Sequence, residues 1–337
     1  MEIRPGLHRI EAPLGERFIA MHLFIGSDAS LLFDTGVDES VAGTLLPYLD
    51  RIGFDPEDLT WVVSSHCDFD HTGGNAALAS VAPNAVFLAG AADVEMTEDI
   101  EVLIAGRYGE FVEPDGFADP PETTALVRAS TRLHRVDRAL GGGEELSLGD
   151  RTLQVLAAPG HSPGHLAVWD ADNDALVVSD AILGDTVPTA SGTPAFPPTY
   201  RDTDPYLATI AMARELDPNL LLTAHYPVYE GEQVRAFLDT SANHVAHIDR
   251  VLEAHLRSCT EPATTLEIIA ATHDELGPWG EDAAQYLIFP LTGNLERFAA
   301  QHLRAEACHT VPLQQPVWQP RTVHRSTRRS ADRLHLW

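Results

Sequence analysis

The stretch Ser65-His66-Cys67-Asp68-Phe69-Asp70-His71-Thr72-Gly73-Gly74 sets four side chains able to bind a metal, His66, Asp68, Asp70 and His71, within six residues. Imidazole nitrogens and carboxylate oxygens are the donors that zinc, manganese and iron take. In an extended segment, alternation sends His66, Asp68 and Asp70 to one side. His71 then follows Asp70 on the neighbouring bond as the chain turns, giving two overlapping sets of ligands. Histidines and aspartates in a glycine-containing loop also serve simply as turn formers. Recurrence downstream separates the two readings. The segment Ala158-Pro159-Gly160-His161-Ser162-Pro163-Gly164-His165 follows the strand-like run Leu153-Gln154-Val155-Leu156. Asp180 closes a second run over residues 175–179, and His225 ends a third over 220–224. Three further strands thus each end in a candidate ligand.

Those ligands need a scaffold that delivers strand ends to one place. Trp61-Val62-Val63 reads as a short buried strand, and Gly73-Gly74-Asn75-Ala76-Ala77-Leu78 as a helix start, so the motif falls in a loop at a sheet edge, where α/β proteins carry chemistry. Upstream, strands are expected over 7–11, 18–25 and 30–33, and the spacing of Val41, Leu45, Leu46 and Leu49 predicts an amphipathic helix over 38–51. Strand and helix alternate from there, the pattern of sheets covered by helices. Residues 91–134 break it with two helical pieces, 93–111 and 122–133, around a proline-rich loop. This excursion is expected as an insert over the cleft, with Tyr108, Phe111 and Phe117 as candidate substrate walls. Gly141-Gly142-Gly143 marks the turn into the second half of the sheet structure. The proline-rich stretch 181–203 follows Asp180 at the rim, with Phe196 and Tyr200 as candidate substrate contacts. From residue 231 the chain is helical and polar, with helices predicted over 231–258, 264–276 and 282–303.

Taken in order, these motifs resemble those of the metallo-β-lactamase superfamily, in which H-x-H-x-D-H is followed by a histidine in a P-G-H turn, an aspartate and a final histidine. The resemblance covers roughly the first 230 residues. It implies an αββα sandwich, two mixed sheets covered by helices, here with a helical C-terminal appendage. It also implies that His66, Asp68 and His161 hold one divalent ion, that Asp70, His71 and His225 hold a second, and that Asp180 bridges them. Asp34-Thr35-Gly36 is similar to the family's D-T-G turn, which supports the ligands from behind. One position departs: Asp68 stands where the family motif has its second histidine. A carboxylate there adds negative charge and a harder donor, so iron or manganese becomes an alternative to zinc, or the first position is left without an ion. The family's di-iron flavoproteins carry a glutamate at that position. His165 is expected to be a buried group that orients a carboxylate or closes the turn, since Pro163 and Gly164 oppose a helical His161/His165 pair.

Composition narrows the function. The 337 residues carry 22 basic side chains, all arginine, against 50 acidic ones, a formal net charge of −28. Such a field repels nucleic acid and anionic membranes. Cys67, Cys259 and Cys308 are too scattered for a disulfide framework, and Cys67 points away from the ligands as a packed thiol. With no signal-peptide layout, a cytoplasmic protein with a small-molecule substrate, alone or as a homodimer, is expected. A divisible reading places the catalytic domain at 1–230, a helical domain at 231–310 and a disordered tail at 311–337. The expected reaction is attack of a metal-bound hydroxide on an ester, thioester, lactone or amide carbonyl, with Asp70 managing the proton and Tyr226 donating to the oxyanion. Asp68 is expected to weaken the metals' positive field. A non-haem di-iron oxidoreductase and a catalytically weak binding protein on the same fold are the alternatives.

Overall fold

A computed structural model describes residues 1–113 and 115–308 of the chain. The tail expected over 311–337 lies outside the described residues. Seven strands form the first sheet in sequential order: β1 (Glu2–Arg4), β2 (Leu7–Leu14), β3 (Arg17–Ile25), β4 (Ser30–Phe33), β5 (Trp61–Ser64), β6 (Val86–Gly90) and β7 (Arg138–Leu140). The pairs from β1 to β4 are antiparallel and those from β4 to β7 parallel. The second sheet uses β8 (Glu145–Ser147), β9 (Thr152–Ala157), β10 (Leu166–Asp170) and β11 (Ala175–Ser179). A small hairpin, β12 (Val187–Pro188) with β13 (Pro194–Phe196), intervenes before β14 (Leu220–Thr223) and β15 (Tyr229–Glu230) complete that sheet. β11 and β14 run parallel, and the other pairs of the second sheet are antiparallel.

Alternation along the strands explains why the sheets stack. Leu31 and Phe33 of β4, Val63 of β5, Val177 of β11 and Leu220 and Leu222 of β14 meet in a core between the sheets. Their neighbours Leu32 and Val62 face outward to Val41, Leu45, Leu49 and Leu78, under the helical stretch 38–52 and helix Asn75–Ala79. On the far side, Leu176, Val178 and Leu221 face Ile210, Leu238, Val245, Ile248 and Ile268 from helices Thr203–Leu216, Glu232–Ser258 and Thr265–Leu276. The architecture is therefore helix, sheet, sheet, helix. The helices beyond residue 231 share their core with the second sheet. Among the described residues no helix is long and apolar enough to cross a membrane.

Segments 94–98, 100–103 and 104–108 are helical, the last with π geometry over Ile104–Tyr108, and helix Pro121–Ser130 follows. Phe111 and Phe117 are buried against the C-terminal helices, Phe111 edge-on to Phe289 at 5.0 Å and Phe117 to Tyr286 at 5.9 Å. Both belong to the outer core instead of forming open substrate walls. Tyr200 is likewise core: fully buried, it stacks on Tyr206 and donates to Oδ1 of Asn294 at 3.0 Å. Its aromatic area goes into packing, which removes it as a rim contact.

Candidate metal centre

Four strands end at one place. Asp34 follows β4, Ser65 and His66 follow β5, Asp180 follows β11, and Ala224 and His225 follow β14. His161 arrives from the turn between β9 and β10. All seven residues read as ligands from the sequence converge in three overlapping groups: His66, Asp68 and His161; His66, His71 and Asp180; Asp70, His71 and His225. In each group one donor atom per residue lies within 4.8 Å of the others. Asp70 and His71 reach this point differently from the expectation. The chain is helical over Phe69–Thr72, so the turn of a short helix and not strand alternation aims them.

The imidazoles are fixed from behind. Asp34 accepts from Nδ1 of His71 at 2.9 Å and from the amide and hydroxyl of Ser65 at 2.7 and 2.9 Å. The hydroxyl of Ser179 donates to the same carboxylate at 2.8 Å. Because a carboxylate only accepts, Nδ1 of His71 carries a proton, and Nε2 is the nitrogen turned towards the other candidate ligands. Nδ1 of His225 donates to the carbonyl of Phe18 at 2.7 Å, with the same consequence. Nδ1 of His66 lies 2.9 Å from the Ser65 hydroxyl. Such outer contacts set tautomer and ring orientation in metal sites.

At the second position the donor atoms face one another. Nε2 of His225 lies 3.2 Å from Asp180 Oδ2 and 3.5 Å from Asp70 Oδ2, and Nε2 of His71 lies 3.5 Å from Asp180 Oδ2 and 3.9 Å from Asp70 Oδ1. Nε2 of His71, Nε2 of His66 and Oδ1 of Asp180 are buried and have no hydrogen-bond partner among the described residues. Lone pairs converging on carboxylates repel unless positive charge stands among them, so this donor set fits a divalent ion. The electrostatics of the surrounding groups make the same demand for positive charge. Burial lowers the proton affinity of His71, but Asp34, Asp70 and Asp180 outweigh it and push its pKa well above the ordinary value. Burial raises the Asp180 carboxyl, but His225 and His71 outweigh that and hold it well below the usual range.

The first position differs. Arg107, from the π turn, donates through Nε to Asp68 Oδ1 at 2.8 Å and through Nη2 to Asp68 Oδ2 at 3.1 Å. The same Nη2 lies 3.0 Å from Nε2 of His161, which is also 3.0 Å from Asp68 Oδ2. Burial raises the Asp68 carboxyl, but Arg107 and the two imidazoles outweigh it, and its pKa falls well below the usual range. The negative charge expected to weaken a metal's field is therefore already paired. Of these three residues Asp68 and His161 are engaged within the chain, and His66 Nε2 alone is left without a hydrogen-bond partner among the described residues.

Arg107 has no signal in the motif spacing, since it lies 39 residues beyond Asp68. Its sequence mark is a single basic residue in Ile104-Ala105-Gly106-Arg107-Tyr108-Gly109. Asp93 was also missed: it accepts from the hydroxyl of Ser162 at 2.5 Å and from the amide of Gly164 at 2.8 Å, closing the turn that carries His161. His165 is buried as expected, and its carbonyl accepts from the amide of Ala158 at 2.8 Å across the turn. It stacks on His66 at 4.6 Å and places Nδ1 3.0 Å from the carbonyl of Leu166, orienting no carboxylate. A serine directly before the ligand at the ends of β5 and β11 was the available sign of Ser65 and Ser179. Cys67 is a buried free thiol, 3.9 Å from the sulfur of Met96. Tyr226 lies in the outer core of the second sheet, its hydroxyl accepting from the amide of Gly184 at 2.9 Å.

Over 147 residues the chain is 29% identical to a hydroxyacylglutathione hydrolase of Methylococcus capsulatus, covering 44% of this chain and 42% of that one. Over 170 residues it is 27% identical to an N-acyl homoserine lactonase of Bacillus thuringiensis, covering 44% and 56%. The chain thus spans about half the length of these curated relatives. Among solved structures, a metallo-beta-lactamase family protein from Thermus thermophilus superposes with a TM-score of 0.68 at 20% identity, covering 89% of this chain and 95% of that one. A beta-lactamase domain protein from Burkholderia ambifaria gives 0.66 at 18%, covering 89% and 88%. At these identities the structural likeness is one of fold. The family model of the metallo-beta-lactamase superfamily matches residues 14–225, from β2 through the last candidate ligand, and the chain belongs to that superfamily.

Proposed function

We propose that the protein is a metal-dependent hydrolase that cleaves an ester, thioester or lactone bond of a small molecule. The observation that supports this most is the convergence of Asp70, His71, Asp180 and His225 with buried donor atoms left without partners. These four residues would hold a divalent ion. A divalent ion bound there supplies Lewis acidity and brings the pKa of a coordinated water near neutrality. The chain's own residues do the rest. Asp34, Ser65 and Ser179 keep the His71 lone pair aimed, and the Phe18 carbonyl does so for His225. Asp70, which accepts no hydrogen bond from another side chain among the described residues and lies 3.5 Å from Nε2 of His225, is the carboxylate available to orient water and accept its proton.

The relatives' names, a thioester hydrolase and a lactonase, support the bond class and leave the substrate open. A small substrate without a polyanionic carrier fits a chain of net charge −28. The test is hydrolysis of a panel comprising an N-acyl homoserine lactone, an S-acyl glutathione and p-nitrophenyl esters, by protein loaded with Zn2+ or Mn2+. Turnover should be lost on chelation and restored on reloading, and D180N should lose both bound metal and turnover. Protein that binds no divalent ion and cleaves none of the panel overturns the proposal. Iron with oxygen uptake and no hydrolysis redirects it to an oxidoreductase.

A further inference from the structure

The two halves of the centre differ in how their charge is met. Asp70 and Asp180 have only imidazoles beside them, whereas Asp68 is matched by a buried guanidinium in a two-point pair. Nε2 of His161 lies 3.0 Å from both Arg107 Nη2 and Asp68 Oδ2, so in either tautomer it is engaged within the chain, accepting from the guanidinium or donating to the carboxylate. Two of the three potential ligands at the first position are therefore engaged within the chain itself, around one cation.

Arg107 is held in this place from several sides. It is 5% exposed, and its guanidinium lies over the ring of Phe289, 4.9 Å from the centroid. The neighbouring Tyr108 hydroxyl accepts from the amide of Phe69, next to Asp68, at 3.0 Å. Both side chains leave the π turn Ile104–Tyr108, a geometry that recurs where a helix must redirect side chains at a functional site. Upstream, just before the helical segment 94–98, Asp93 clasps the turn bearing His161. The planar fork suits a carboxylate and sheds water more readily than an ammonium, which favours arginine for a buried cation.

We propose that Arg107 is the resident cation of the first position: its guanidinium serves Asp68 and His161 where the sequence implied a metal ion, and the chain holds one divalent ion, on Asp70, His71, Asp180 and His225. The inference rests on the metal-hydrolase reading and deepens it, because it changes a two-ion centre into one ion beside a fixed organic cation.

Stoichiometry tests it without reference to turnover. Wild-type protein stripped of metal and titrated with Zn2+ by calorimetry should take up one equivalent, and its Co2+ form should give the paramagnetic resonance of an isolated ion. R107M should gain a second equivalent. Because R107M leaves the Asp68 carboxylate buried without its partner and can fail to fold, D68H/R107M is the companion variant: it removes both charges, presents three imidazoles and should also bind two ions. Two equivalents in the wild type, with a spin-coupled Co2+ pair, overturns the inference while leaving the hydrolase reading intact. A folded D68H/R107M that stays at one equivalent overturns it as well. Wild-type protein that binds no Co2+ sinks the hydrolase reading and this inference together.

Discussion

At the scale of single residues, the centre is organised by the carboxylate behind the ligands as much as by the ligands. Asp34 is fully buried, adopts a left-handed φ of 66°, and collects the Ser65 amide and hydroxyl, the Ser179 hydroxyl and His71 Nδ1. Ser179 also has a positive φ, 49°. Backbone of this kind costs of order 1–3 kcal/mol and persists where surrounding contacts over-determine it. Here those contacts are the ones that fix the His71 lone pair. D34A should therefore lower Zn2+ affinity by roughly 10–100-fold, the usual effect of losing an outer partner of a ligating histidine. Calorimetric titration reads this, and D34N, which keeps the shape, should lose less. Unchanged affinity in D34A would show that His71 needs no such support. Electrostatics at the neighbouring position runs the other way. Two unit charges 4 Å apart interact by about 4 kcal/mol at an effective dielectric of 20, so a divalent ion that close to the Arg107 guanidinium would be repelled by about 8 kcal/mol. The candidate positions Asp180 and His225 were legible in the sequence because each follows a strand whose apolar run is visible. Arg107 was not, because a π turn rotates its side chains away from the positions that helical spacing assigns.

At the scale of elements, parallel strands bring the ligand loops together, and one close approach locks their relative height. A Cβ at Gly90, the end of β6, would lie 1.7 Å from the carbonyl oxygen of Gly164, and one at Gly164 would lie 2.6 Å from the amide nitrogen of Asp93. β6 thus packs backbone against the turn that carries His161, and nothing flexible is there to yield. G90A should destabilise the protein by about 1–3 kcal/mol or more through overpacking, with a lower urea midpoint and little change in slope. Gly43, where a Cβ would meet nothing within 4 Å, is the control, and G43A should not lower the midpoint. A G90A midpoint equal to the wild type's would mean the turn can move freely. The strands over 30–33 and 175–179 were legible to the residue, since continuous apolar runs bounded by turn formers leave few alternatives. The short helix Phe69–Thr72 was not, since a single turn has no periodicity to show. Nor could spacing show that Tyr200 and Phe111 fill a core: an aromatic near a cleft and one beneath it look alike in sequence.

At the scale of the whole molecule, the question is whether residues beyond 230 form a unit that can be removed. Their helices are stitched to the rest by side chains of opposite character. Phe289 covers Arg107, Trp279 Nε1 donates to Thr186 at 2.9 Å, and Arg201 bridges Glu110 at 2.6 Å and Glu296 at 2.8 Å. Beneath these contacts, the outward side chains of β11 and β14 have no cover except the helices, chiefly Glu232–Ser258 and Thr265–Leu276. Burying an aliphatic side chain stabilises by roughly 1.5–3 kcal/mol. Removing the helices beyond residue 230 would leave helix Thr203–Leu216 as partial cover, and Ile210 on that helix would lose its contacts with Leu238, Val245, Ile248 and Ile268, each side chain so exposed costing up to about that amount. A fragment ending at residue 230 should accordingly be insoluble or expose apolar surface to a hydrophobic dye. The full chain should melt in one calorimetric transition that shifts upward with bound Zn2+, because an ion that binds only the folded state stabilises all of it. A soluble 1–230 fragment with a sharp transition and its own metal affinity would instead mean that the second sheet can close its outer face alone. Arg107 then offers a finer measure, since the same truncation removes Phe289 from above its guanidinium. If the fragment folds and gains a second metal equivalent, the C-terminal helices would be shown to hold the arginine in place across the interface.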